Sequence, residues 1–77
     1  MDDDRRDLVN GLFAVATAML EDATELAMAG QSRDRVLTQL ASDGRLLASA
    51  AQDIAIIAQA AAIIADPSNE HRNRNRP

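Results

Sequence analysis

The sequence predicts an all-α protein: an antiparallel two-helix hairpin, over about 4–29 and 33–65, that dimerises into a four-helix bundle. Three observations predict it. Alanine dominates the 77 residues, with only three glycines and two prolines to interrupt them and Phe13 as the sole aromatic. Alanine loses no side-chain entropy in a helix and has the highest helix propensity. Apolar residues also recur every seven positions in two separate stretches, joined by a three-residue link, Gly30-Gln31-Ser32. A link that short favours antiparallel neighbours.

The first helix is expected to open among Asp2, Asp3, Asp4 and Asp7, whose charges suit the positive end of a helix dipole. Gly30 is placed where a left-handed residue closes a helix. Ser32 is the expected N-cap of the second helix, with Asp34 in its first turn. Pro67 should end that helix, because the residue before a proline avoids helical geometry.

Two heptad positions carry the apolar stripe of each helix. In the first helix they are Val9, Ala16 and Ala23, and Leu12, Met19 and Leu26. In the second they are Leu37, Gly44, Ala51, Ala58 and Ala65, and Leu40, Leu47, Ile54 and Ala61, with no charge in either stripe. A strict period of seven implies left-handed packing with a crossing angle near +20°. Small residues hold mostly one position and large residues the other, so facing layers can interdigitate. This alternation resembles antiparallel alanine-coil packing and the repressor-of-primer class of dimeric hairpin. The resemblance is one of architecture, covers the two helices and includes no functional motif.

The apolar surface is wider than a two-helix seam needs. Leu8, Phe13, Val15 and Leu20 flank the first stripe; Val36, Ile57 and Ile64 flank the second on one side, with Ala41, Ala48, Ala55 and Ala62 on the other. A two-helix seam uses two positions in seven and a bundle core about three. A second copy of the chain is the expected cover. Leu46, Ile56 and Ile63 lie further round, as candidates for a different protein partner that docks on the Ile-rich half of the second helix. The apolar surplus is expected at the open end, away from the loop. A chain this short, with no cysteine for disulfides, gains extra burial most readily by oligomerisation.

Charge bounds the function. Residues 1–66, the hairpin domain, hold eleven acids against five Arg, a net of −6 within an overall −4. Nucleic-acid binding by the body is not expected, because phosphate contact requires a basic face. The remaining residues, 67–77, alternate Arg with Asn and are expected to be a disordered tail. Arg72, Arg74 and Arg76 are its candidate anion contacts, which keeps open the alternative of a nucleic-acid-binding modulator. The repressor-of-primer class binds RNA through one face of its bundle, and this body has no matching basic face.

An enzyme is not expected. His71 has no companion ligand or nucleophile, and no glycine-rich phosphate loop occurs. Glu21, Asp22 and Glu25 crowd one turn of the first helix, with Asp53 on the second. All-α nucleotide pyrophosphohydrolases use clustered helical carboxylates, and a metal-dependent hydrolase of that kind is the third alternative. Their second paired motif is missing, as is the Glu-x-x-His of di-iron bundles. No cofactor or metal is expected.

The run Ile54–Ala65 is short for a bilayer span, and the acidic start is the opposite of a secretory leader. The expected protein is therefore cytoplasmic, off the membrane and homodimeric. It would act by protein–protein contact as an adaptor, a regulator or a small secretion-type chaperone.

Overall fold

The computed structural model describes residues 2–68. His71 and the candidate anion contacts Arg72, Arg74 and Arg76 lie outside the described residues, as does most of the expected tail. Two helices, α1 (Asp2–Ala29) and α2 (Leu37–Ala65), pack against each other as a hairpin. The Cα trace is only 10 Å thick along its shortest direction. It is a slab one helix deep, with two broad faces.

The heptad pattern predicts the seam of α1 residue for residue. Ala16 is buried, and Val9, Leu12, Met19, Ala23 and Leu26 are half-buried. In α2 only one of the two expected positions holds. Leu40, Leu47 and Ile54 are half-buried and Ala61 is buried. The other seam position is Asp43, Ala50, Ile57 and Ile64. Gly44, Ala51, Ala58 and Ala65, expected in the seam, are exposed, and Leu37 is 82% exposed. The physical reason is side-chain size. Ile57 and Ile64 bury more area in the seam than Ala58 and Ala65 do, at roughly 25 cal/mol per Å². Ile57 and Ile64 therefore belong to the hairpin's own seam as well as to the expected dimer contact.

The seam is not free of charge, as the sequence had implied. Asp43 is buried in it, held by Arg35 from the connecting loop. Arg35 Nε and Nη2 donate to Asp43 Oδ2 at 3.0 and 2.6 Å, and Nη2 also donates to Oδ1 at 2.7 Å. This fork matches guanidinium to carboxylate geometry.

The link between the helices is longer than three residues. The Gly30 amide donates to Leu26 O at 3.1 Å, and Gln31 and Ser32 donate to Met28 O and Ala29 O at 3.0 and 3.2 Å. The helix thus tightens into a last turn that satisfies its end carbonyls. No described residue has a positive φ, so the expected left-handed cap at Gly30 does not form. Ser32 caps a turn rather than α2. Its Oγ accepts from the Asp34 amide at 3.3 Å, and its carbonyl accepts from Arg35 at 3.3 Å. The N-cap of α2 is Val36, with extended backbone at φ −83° and ψ 163°. Gln39, three residues on, reaches back to accept from the Val36 amide at 3.1 Å, half of a capping box. At the other end Asp66 is extended at φ −73° and ψ 115°, as a residue before proline should be.

Because α2 begins at Leu37, the helices are nearly equal, at 28 and 29 residues. The last turns of α2 do not run past the start of α1. Ala65 instead stands beside Arg5, Arg6, Val9 and Asn10, lining one notch with them.

Candidate interaction surface

The hairpin has almost no interior. Among the described residues, the buried apolar ones are two alanines, Ala16 and Ala61. Alanine is what lets the two helix axes come close, but it removes little area from water. The large apolar side chains remain outside. Leu8, Phe13, Val15 and Leu20 are all about half exposed or more, and so are Leu46, Ile56 and Ile63. Each of these seven interface candidates from the sequence is therefore accessible on the hairpin. Ile57 and Ile64, the remaining two, are half-buried.

The surplus is not confined to the open end. Met28, Val36 and Leu37 are exposed at the loop end as well. The sequence names Val36 as a flank of the second stripe, but Leu37 is counted there as seam and Met28 is not singled out, because the apolar surplus is expected at the open end. The signal was present in the Val36-Leu37 pair, which lies too close to the loop to find a partner on α1.

The seam sorts the exposed residues onto two faces. In an antiparallel pair, the position after each α1 seam pair and the position after each α2 seam pair fall on the same side. Phe13 and Leu20 thus share a face with Gly44, Ala51 and Ala58. Leu8, Val15 and Asp22 share the opposite face with Leu46 and Asp53, and Glu25, Ile56 and Ile63 flank it. Two threonines border the first face. Thr17 Oγ1 donates to Phe13 O at 2.9 Å and Thr24 Oγ1 donates to Leu20 O at 2.8 Å. Each hydroxyl is satisfied within its own helix.

The acidic residues do not gather into a site. Glu21, Asp22, Glu25 and Asp53 are all exposed. Among the described residues, no three His, Cys, Asp or Glu side chains are grouped to hold a metal ion.

By length and composition, α2 is apolar enough to cross a membrane. The expectation that its apolar run is too short considered only Ile54–Ala65. The alanines from Ala48 onward extend that run toward the N-terminus. Every 18-residue stretch of α2 also contains Asp53.

Comparison with known proteins adds no family: no family model, no curated protein and no solved structure matches the chain.

Proposed function

We propose that this chain is the protomer of a homodimeric four-helix bundle that works by protein–protein contact, as an adaptor, a regulator or a small chaperone, with no chemistry of its own. One observation carries the reading: ten large apolar side chains stand about half exposed or more on a hairpin whose buried apolar residues are two alanines. Covering each is worth roughly 1 kcal/mol, half the value of complete burial. Together they amount to about 10 kcal/mol, the scale of a small domain's whole net stability. A second hairpin laid on one broad face covers the share of this surface that lies on that face, without any foreign chain. Light scattering on the full chain should give twice the chain mass. A chain-sized mass with full helicity at micromolar concentration overturns the reading.

A second reading follows from the length and apolarity of α2, which suit a membrane span. Asp53 weighs against it, because an aspartate at the centre of a spanning helix costs about 3 kcal/mol. Gln52 and Gln59 add further polar groups. Cell fractionation separates the two readings: the bundle stays in the high-speed supernatant, whereas a spanning helix resists carbonate extraction of membranes.

A further inference from the structure

We propose that the second copy covers the face of Phe13 and Leu20, not the face of Leu46, Ile56 and Ile63, and is related by a twofold axis along the length of the hairpin. The inference rests on the homodimer reading above and specifies its interface.

Charge separates the two faces. Between Asn10 and Ala62 the Phe13 face carries no ionisable side chain, whereas the opposite face carries Asp22 and Asp53 with Glu25 at its flank. All three are exposed in the hairpin. Twofold pairing through the acidic face would withdraw carboxylates from water beside copies of themselves. That costs desolvation and repulsion with no cation in return.

The hydroxyls on the Phe13 face are already satisfied. A hydroxyl buried without a partner destabilises an interface. On the Phe13 face the Thr17 and Thr24 hydroxyls already donate to carbonyls of their own helix. They can be covered without being orphaned.

Size sets the direction of the axis. Ala65 lies beside Arg5, Arg6, Val9 and Asn10. Counting turns back along the antiparallel helices puts Phe13 about level with Ala58, and Leu20 about level with Ala51. A twofold axis along the hairpin keeps those levels and lays each α1 over the partner's α2. Large side chains then sit on the alanine stripe in both halves of the interface. A twofold across the hairpin instead sets α1 on α1 and α2 on α2, large on large and small on small. The area also suffices. Helices of 28 and 29 residues at 1.5 Å per residue are about 42 Å long, and two abreast are about 20 Å wide. One face thus offers roughly 800 Å² per partner, which is what a stable interface uses.

Two measurements on the full chain test this. In sedimentation equilibrium, Ala51→Glu should raise the dimer dissociation constant by at least about tenfold, and Leu46→Glu should change it by less than about threefold. The chain has no cysteine, so nitroxides can be placed on a single Gln31→Cys without disturbing either face. The proposed axis puts both loops at one end, with label separations of about 20–30 Å; loops at opposite ends give about 45 Å or more. A wild-type dimer broken by Leu46→Glu but not by Ala51→Glu, or one with the long label distance, overturns this inference and leaves the homodimer standing. A wild-type monomer in buffer overturns both. So does a monomer that floats with phosphatidylglycerol–phosphatidylcholine vesicles. Should Ala51→Glu lose its helicity, the label distance on the unaltered face still decides.

Discussion

The two ends of the hairpin are held together by different physics. At the open end α2 closes on α1 through Ile57, Ala61 and Ile64, and Ala61 is only 1% exposed. At the loop end the seam contains Asp43, and the fork from Arg35 keeps that carboxylate satisfied. Packing around a buried alanine is specific to volume, since a larger side chain there must displace its neighbours. An ion pair is specific to geometry, since it needs the loop to deliver the guanidinium. The first kind of contact tolerates no substitution toward size or charge, while the second can be exchanged for an apolar residue.

Substitutions at the two ends should therefore differ in both size and sign. The largest effect is expected at the open end. Ala61→Asp buries a carboxylate at a point of the seam only 1% exposed and should cost about 3 kcal/mol or more. Ala61→Leu should cost about 1–3 kcal/mol through overpacking alone. Urea midpoints at one fixed protein concentration measure both, because oligomerisation links stability to concentration. An Ala61→Leu variant as stable as wild type would show that the open end is loosely packed.

At the loop end, Arg35→Ala leaves Asp43 buried without its partner and should cost about 1–2 kcal/mol. The lower part of the range for charged hydrogen bonds applies because the Arg35 side chain is a third exposed. Asp43→Leu should change stability in the opposite direction, by about 1 kcal/mol, because it restores an apolar seam and returns Arg35 to water. If both variants lose stability equally, the fork is shaping the loop rather than merely satisfying the carboxylate.

The smallest effect comes from the glycines. A Cβ at Gly11 or Gly44 meets nothing within 4 Å in the hairpin. Alanine in a helix is favoured over glycine by about 0.5–1 kcal/mol. Gly11→Ala, on the open-end half of α1, should gain that amount. Gly44→Ala, on the loop-end half of α2, should gain less, because Gly44 lies on the face proposed for the second copy. Equal gains at the two sites would argue against close packing there.

Much of this fold was legible in the sequence. All six seam positions of α1 follow from its heptads, because one three-and-four spacing of apolar residues runs unbroken from Val9 to Leu26. In α2 the alanines between Ala48 and Ala62 occupy several heptad positions at once, so apolarity alone does not choose between Ala58 and Ile57. The choice rests on volume. Asp43 escaped notice because its partner, Arg35, lies eight residues away in the loop, beyond the reach of any helical i, i+4 rule. Ser32 misled because a serine that caps a turn looks the same in sequence as one that caps a helix. The exposed interface candidates on α1 were readable from stripe width, whereas their division into a charged and an uncharged face required the true seam of α2.

The thinness of the slab has a consequence for the chain's life in a cell. A hairpin with two buried alanines holds little folding energy of its own, so on the proposed assembly folding and pairing become one event. The folded fraction then rises with the amount of chain present. At low dosage most copies would be single and open to proteases, and at higher dosage they would protect one another. The level of such a protein would respond more than proportionally to its rate of synthesis, giving a threshold without any ligand or modification to set it.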